Sequence, residues 1–263
     1  MENKYILETK NATKIYDSNG MVVRAVDDVS LHIKAGEFVG LVGPSGSGKG
    51  VVANFLATQY EFHLLDSGAQ YRLVGIAARR ASVALENSPL NEAVLGEIAR
   101  RLDVAFIATK NPEDPLEITL FGDQVGHEVR TDEAGVDASR VASLPAVRDG
   151  LFELQRSFRQ APGLVADGRD MGTVVFPEAD VKIYLTASAE ARAERRYKQL
   201  IHKGMGVNLH DLFQSIQARD ERDMNRSVSP LTPAEDAFVI DSTDMDIEEV
   251  LQNVKAIVTE KLG

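Results

Sequence analysis

The sequence contains no cysteine in 263 residues. This absence excludes a disulfide framework and every thiolate metal site, and it is compatible with a reducing compartment. The five histidines include no close pair at the spacing that places two metal ligands on one helix face. The sequence therefore predicts no structural metal site.

The sequence also has few positive charges relative to negative ones, and it has no long apolar run. The chain has 29 Lys and Arg residues against 40 Asp and Glu residues, which gives a net charge of -11. Nucleic acids and anionic membranes are bound through basic surfaces, so this balance argues against both partners. No apolar run approaches the roughly 18 residues of a membrane span, and charged residues occupy the N-terminus where a signal peptide needs an apolar stretch. We therefore expect a soluble, cytoplasmic protein.

Five short apolar runs are present; four are followed by Gly or Asp and one by Thr186, and each precedes a helical stretch. This pattern is typical of buried strands in a parallel α/β sheet. The runs are Phe38–Val42, Leu64–Leu65, Leu164–Ala166, Val181–Leu185 and Phe238–Ile240. Composition is even along the chain, and its length suits one main core, so we predict a five-stranded parallel sheet in an α/β fold.

Three segments stand apart from this pattern. Alternating residues in Tyr5–Tyr16 and Val22–Ile33, on either side of an Asn-Gly turn, predict an N-terminal antiparallel hairpin. A small antiparallel insert is predicted at residues 103–126. The charged helical stretch at 189–226, interrupted by glycines, is a candidate lid.

A glycine-rich loop follows the first apolar run and precedes the helical stretch Val51–Tyr60. Such a loop surrounds a phosphate with backbone N–H groups at a helix N-terminus, and its lysine reaches the β and γ phosphates. The predicted ATP site consists of Gly43, Pro44, Ser45, Gly46, Ser47, Gly48, Lys49, Gly50 and Val51. Gly50 takes the place of the Ser or Thr whose hydroxyl usually contacts Mg²⁺ in a P-loop.

Together with this loop, three later segments resemble the cytidylate kinase family. They read HLLDSGAQYR at 63–72, GLVADGRDMGTVVFP at 163–177 and RDERDMNRSVSPL at 219–231. The resemblance extends from about residue 43 to the C-terminus, in the order and spacing of the family. It implies a P-loop fold and transfer of a phosphoryl group from ATP to CMP or dCMP, with Mg²⁺ as the cofactor. We expect a monomer.

The resemblance also implies an acceptor site. The residues that would hold the acceptor phosphate are Arg72, Arg169 and Arg226. Those that would bind the cytosine are Ser139, Arg148 and Asp170. Further contacts to phosphate and sugar hydroxyls are implied for Ser67, Arg219 and Asp223. An Asp and Arg pair suits cytosine on chemical grounds as well, because the base presents one amino donor and two acceptors.

Phosphoryl transfer between two anions requires cations near the transferred group. The residues predicted to act in catalysis are Lys49, Arg169, Asp167, Arg195 and Arg222, and Arg192 also suits this need. For Arg192, Arg195 and Arg222, an exposed helical ion pair is an equally good interpretation. Asp167 closes an apolar strand, where its carboxylate could hold Mg²⁺ or cap the following segment.

The N-terminal 35 residues do not fit this family, whose P-loop normally comes much earlier in the chain. Residues 7–16 and 26–49 resemble the opening of an ABC transporter ATP-binding subunit, in which Tyr16 would stack on adenine. An ordinary strand aromatic is the alternative for Tyr16. The Leu-Ser-Gly-Gly-Gln signature of ABC proteins is missing. We interpret the chain as a chimera of an annex at 1–36 and a kinase-like domain at 37–263, joined between Gly43 and Val51.

Two functions remain open at this stage. The first is an active CMP kinase. The second is a natural or engineered chimera that binds nucleotide with little turnover, because Val51 replaces the Thr usual in the family and a misplacement of about 1 Å can cost about 100-fold in rate. An ATPase that serves a transporter is disfavoured by the missing signature.

Overall fold

The computed structural model describes residues 5–18, 21–34, 37–86, 89–109, 116–202, 206–225 and 231–262. In the N-terminal part only the backbone is described as far as residue 37. This backbone forms an antiparallel hairpin of β1 (Tyr5–Ser18) and β2 (Met21–Lys34), which is a two-stranded sheet of its own. The predicted hairpin is confirmed, and its turn residues Asn19 and Gly20 lie outside the described ranges.

The centre of the fold is a parallel sheet of five strands. They are β3 (Glu37–Val42), β4 (His63–Asp66), β8 (Gly163–Gly168), β9 (Val181–Thr186) and β10 (Phe238–Asp241). Their order across the sheet is β10-β9-β3-β8-β4, and every neighbouring pair is parallel. The five apolar runs are thus confirmed as strands, and the strand that precedes the P-loop lies in the middle of the sheet.

Helices cover both faces of this sheet. The α-helices of the described ranges are α1 (Lys49–Tyr60), α2 (Ser67–Arg80), α3 (Glu92–Arg100), α4 (Gly126–Val129), α5 (Asp132–Val141), α6 (Pro145–Ser157), α7 (Ala189–His202), α8 (Leu209–Met224) and α9 (Ile247–Leu262). Along β3, Phe38 packs into the core shared with α2 and α6, whereas Val39 and Leu41 pack into the core shared with α1 and α9. Because both faces are covered, the strands read as continuous apolar runs.

The predicted insert is a small antiparallel sheet of β5 (Val104–Ala108), β6 (Leu116–Leu120) and β7 (Asp123–Gln124). The candidate lid consists of α7 and α8, which contact each other. Residues 203–205 between these helices lie outside the described ranges, so the glycine interruption at Gly204 is not described. No helix within the described ranges is long and apolar enough to cross a bilayer.

Candidate active site

The P-loop lies at the carboxyl end of β3, between the central strand and α1. Gly43 has φ 153°, and a Cβ built there would lie 2.0 Å from the carbonyl oxygen of Leu185. Any side chain would therefore push the loop away from β9. Gly48, at φ 96°, is the residue from which α1 begins. The free N–H groups at this helix start are suited to bind an anion.

Lys49 folds back over the loop and faces a carboxylate. Its Nζ donates to the carbonyl oxygen of Pro44 at 2.9 Å and lies 3.9 Å from Oδ1 of Asp167. Burial lowers the pKa of Lys49, and the nearby Asp167 opposes this shift. The positive charges of Arg169 and Arg219 also lower it, which means that three cations converge on this part of the site.

Two carboxylates accompany these cations. Asp66 at the end of β4 and Asp167 in β8 are paired neighbours in the parallel sheet. Burial raises the pKa of Asp167 to about 7, Lys49 opposes that rise, and Asp66 adds to it. Burial also raises the pKa of Asp66, although its side chain accepts a hydrogen bond from the N–H of Ala69 at 2.9 Å.

Asp66 is a residue of this site that the sequence prediction missed. Asp66 is the N-cap of α2, whereas Asp167 lies beside Lys49, so the capping alternative fits Asp66 rather than Asp167. The signal was the same for both residues, since each is a carboxylate at the end of a short apolar run. The apolar runs alone did not predict that β4 and β8 are neighbours in the sheet.

The donor chemistry here fits a magnesium ion. Mg²⁺ takes oxygen ligands and is usually held by one or two carboxylates plus the phosphates of its substrate. Asp66 and Asp167 supply two partly buried carboxylates beside the P-loop. In the described part of the chain, no cluster of three or more His, Asp or Glu side chains forms a self-contained metal site.

The residues predicted to bind cytosine include a buried ion pair. Arg148 on α6 donates to the carboxylate of Asp170, which follows β8, and both side chains are largely buried. The guanidinium of Arg148 also lies 5.8 Å from the ring centroid of Tyr71. Ser139 is on α5, and its hydroxyl donates to the carbonyl oxygen of Gly135 at 3.1 Å.

The arginines predicted to bind the acceptor phosphate occupy different elements. Arg72 on α2 donates to the carbonyl oxygens of Val129 at 2.8 Å and Thr131 at 3.0 Å. Arg169 lies 2.7 Å from the carboxylate of Asp223 on α8. Its Nε atom is buried and has no hydrogen-bond acceptor among the described residues. The pair connects the end of β8 to the candidate lid.

Ser67 belongs to the described part of the site, whereas Arg226 and the side chain of Arg222 do not. Ser67 is buried at the start of α2, where a Cβ at Gly168 would lie 2.3 Å from its hydroxyl. Arg226 lies outside the described residues, and so does the side chain of Arg222.

Arg195 is hydrogen-bonded to the connection between β10 and α9. It donates to the hydroxyl of Ser242 at 3.2 Å and to the carbonyl oxygens of Ser242 and Met245, in the connection between β10 and α9. Arg192, also on α7, contacts the P-loop: it donates to the carbonyl oxygen of Ser45 at 3.1 Å and pairs with Asp220 on α8. Arg192 and Arg195 are three residues apart on α7 and contact different parts of the protein. The sequence alone did not predict this difference.

Val51 lies in the first turn of α1 with 49% of its surface exposed. A Cβ built at Gly50 would meet no atom of the described residues within 4 Å. Both positions after Lys49 therefore border open space at the helix N-terminus. This is the side of the loop on which a P-loop hydroxyl normally contacts the magnesium shell.

The chain is similar to known cytidylate kinases. A family model described as cytidylate kinase matches residues 39–260. The chain is 52% identical over 221 residues to a cytidylate kinase of Aeromonas hydrophila. The aligned part covers 84% of this chain and 93% of that protein. It is 54% identical over 214 residues to a cytidylate kinase of Pseudomonas entomophila, which covers 81% of this chain and 92% of that protein. The family match begins after the hairpin.

Proposed function

Because this chain belongs to the cytidylate kinase family, we propose that it transfers the γ-phosphoryl group of ATP to CMP or dCMP. The observation that carries the proposal is the convergence of Lys49, Asp167 and Arg169 at the carboxyl end of the sheet. Ligands of open α/β sheets bind at this edge. Phosphoryl transfer requires such charges in fixed positions and no covalent intermediate on the protein.

On the donor side, the proposed ATP site is the loop from Gly43 to Val51. Its backbone N–H groups would surround the phosphates, and the dipole of α1 would favour their negative charge. Lys49 would give up its bond to the carbonyl of Pro44 and donate to the β and γ phosphates. Burial of this lysine supports the proposal, because a cation acts more strongly on a phosphate where water is excluded.

We propose that Asp167 holds Mg²⁺ or its water shell, with Asp66 beside it. When bound, Mg²⁺ would supply positive charge that offsets the negative charge of the phosphates. Lys49 and Arg169 partly neutralise this carboxylate before any ligand arrives. Such a balance limits the cost of keeping Asp167 buried.

On the acceptor side, we propose that Arg72, Arg169 and Arg226 hold the phosphate of CMP. Cytosine would be bound by the residues Ser139, Arg148 and Asp170. Ser67, Arg219 and Asp223 would contact phosphate or sugar hydroxyls. Support comes from the buried Nε of Arg169, which is a donor directed at no acceptor among the described residues. The buried pair of Arg148 and Asp170 is likewise a donor and an acceptor fixed side by side.

We propose that the lid cations Arg192 and Arg222 stabilise the negative charge of the transferred phosphoryl group. Arg192 is added because it already donates to the P-loop carbonyl of Ser45. Arg195 could act on the nucleotide only after leaving Ser242 and Met245, and on that condition it stays in the proposal.

The N-terminal part carries a separate proposal. Residues 1–36 form an annex that resembles an ABC ATP-binding subunit, and residues 37–263 form the kinase domain. The chain would then be a fusion near the P-loop, and little or no turnover is the alternative outcome of that fusion. The separate two-stranded sheet of the hairpin and the start of the family match at residue 39 support this division. We further propose a cytoplasmic monomer without nucleic-acid or membrane partners, in keeping with the net charge of -11.

The test is an assay of ADP release from ATP and Mg²⁺ with and without an acceptor. We expect release that depends on CMP or dCMP and that is weaker with UMP. ATP binding without CMP-dependent release would instead identify the low-turnover alternative. Tighter binding of AMP or GMP than of CMP would contradict the assignment of the acceptor site.

The substitution Val51→Thr tests the junction directly. A hydroxyl at this position could donate to a phosphate oxygen, and a hydrogen bond to a charged group contributes about 1.5–3 kcal/mol. One decade in rate corresponds to about 1.36 kcal/mol. If the junction alone impairs an otherwise intact kinase, we therefore expect the CMP-dependent rate to rise about tenfold or more. Half of the Val51 surface is exposed, so the polar hydroxyl needs little desolvation.

Val51→Ala is the matched control for Val51→Thr, since it changes the side chain without adding a donor. The thermal midpoint of each variant shows whether the fold is kept. An unchanged rate in a Val51→Thr protein that still binds ATP and CMP would rule out Val51 as the cause of low turnover.

A further inference from the structure

Helices α2 and α5 are joined by an ion pair that the active site described above does not use. Arg79, in the last turn of α2, donates from Nε to Oδ2 of Asp137 at 2.5 Å and from Nη2 to Oδ1 at 3.1 Å. Two parallel bonds of this kind fix the direction of a carboxylate as well as its distance. The pair therefore constrains how the two helices lie against each other.

The burial of Asp137 makes this pair hard to replace. Only 2% of its side chain is exposed, and a buried carboxylate is costly unless it is paired. Arg140 lies 3.6 Å away on the same helix, but Arg79 makes the closer contact. The remaining Nη1 of Arg79 lies 3.1 Å from Glu86, in the segment that follows α2, and 3.1 Å from Glu133, in the first turn of α5.

The contact between α2 and α5 includes a close approach of the two backbones and a cavity beside it. A Cβ built at Gly75 would lie 2.9 Å from the Cβ of Asp137, so the two backbones approach closely there. Beside that contact is a cavity of about 170 Å³, which Arg79 and Asp137 line together with Ile76 and Thr131. The ion pair therefore lies at the wall of this cavity.

Both helices carry residues of the proposed acceptor site. Arg72 lies seven residues, or two turns, before Arg79 on the same face of α2. Ser139 follows Asp137 by two residues on α5. The guanidinium of Arg72 also lies against α5, because a Cβ at Gly135 would be 3.2 Å from its Nη2. A change in the α2 to α5 spacing would thus move the phosphate contact relative to the base contact.

We propose that Arg79 and Asp137 are positioning residues for the acceptor nucleotide, which set the separation of Arg72 and Ser139 without touching CMP. This inference rests on the proposed function. It predicts that the pair governs acceptor affinity and the preference for CMP over UMP, and that it leaves the ATP site unaffected.

The test is the substitution Asp137→Asn, which removes the charge and keeps the shape. We expect KM for CMP to rise about tenfold, because small misplacements in a binding site are costly. KM for ATP should change less than twofold, and the ratio of kcat/KM for CMP over UMP should fall. Arg79→Lys keeps the positive charge but loses the bidentate geometry, so a smaller rise in KM for CMP is expected.

Arg80→Gln is the matched control. Arg80 is the next residue on α2, with an exposed fraction close to that of Arg79, and it pairs with Asp123 and Glu128 instead of α5. We expect both KM values to stay within twofold in this variant. Arg72→Ala serves as the reference for a direct loss of acceptor binding.

The outcomes separate this inference from the proposed function. If Arg72→Ala weakens CMP binding and Asp137→Asn only lowers the thermal midpoint, the pair is merely structural and the inference is wrong. An equal rise of both KM values in Asp137→Asn would also overturn it. If neither variant alters CMP binding, the acceptor site is misassigned and the inference falls with it. Should Asp137→Asn fail to fold, the Arg79→Lys measurements decide the same questions.

Discussion

Replacing Lys49 by Ala is expected to abolish CMP-dependent ADP release and to weaken ATP binding. Lys49 belongs to the loop that would hold the phosphates, and its largely buried side chain lies 3.9 Å from Asp167. Hydrogen bonds to charged groups contribute about 1.5–3 kcal/mol each. Loss of contacts to two phosphates should therefore lower kcat/KM by roughly 100-fold to 10,000-fold, since 1.36 kcal/mol is one decade.

Two measurements distinguish the charge of Lys49 from its packing. Lys49→Met keeps the apolar stem and should lose as much activity as Lys49→Ala, while Lys198→Ala, which removes an exposed lysine on α7, should keep full activity. ATP affinity is measured by calorimetry and the rate by the ADP assay. An unchanged affinity and rate in Lys49→Ala would show that this loop is not the nucleotide site.

Replacing Asp170 by Ala is expected to remove most of the discrimination between CMP and UMP. Uracil reverses the amino donor and ring acceptor of cytosine, so a fixed Asp and Arg pair favours only one of the two bases. Loss of a buried, charged contact corresponds to about 1.5–3 kcal/mol. The ratio of kcat/KM for CMP over UMP should thus fall by roughly 10-fold to 100-fold.

The same substitution leaves Arg148 without its carboxylate in a buried place. Removal of one partner of a buried pair typically costs about 3–5 kcal/mol of stability, so the thermal midpoint should fall. Asp170→Asn retains size and one acceptor, and its loss of stability should be smaller. ATP binding is the internal reference, and a variant that loses ATP affinity as strongly as CMP preference would contradict a base-binding role for Asp170.

The core sheet could be predicted from the sequence because its strands are buried on both faces. Runs such as Phe38–Val42 and Leu164–Ala166 are apolar on both faces of the strand, so composition alone identifies them as buried strands. The P-loop could be predicted for a related reason. Its backbone must take conformations that only glycine tolerates, and Gly43 shows this in the 2.0 Å approach of a built Cβ to Leu185.

Local sequence could not decide which charged side chains meet. Asp66 and Asp167 are about 100 residues apart in the chain, and only the strand order β8-β4 makes them neighbours. Arg192 and Arg195 share one helix and one predicted role. The structure directs the first to Ser45 and the second to Ser242, because the partners on α8 and on the β10 to α9 connection differ.

The sequence by itself determined the sheet, the P-loop and the family motifs, since each depends on residue types at short spacings. The tertiary structure alone decided the pairing of Arg79 with Asp137, 58 residues further along the chain. Helical periodicity tells which face of α2 is buried, but it does not tell what covers that face. A long, flexible arginine can reach several partners, and the packing of α5 on α2 selects one of them.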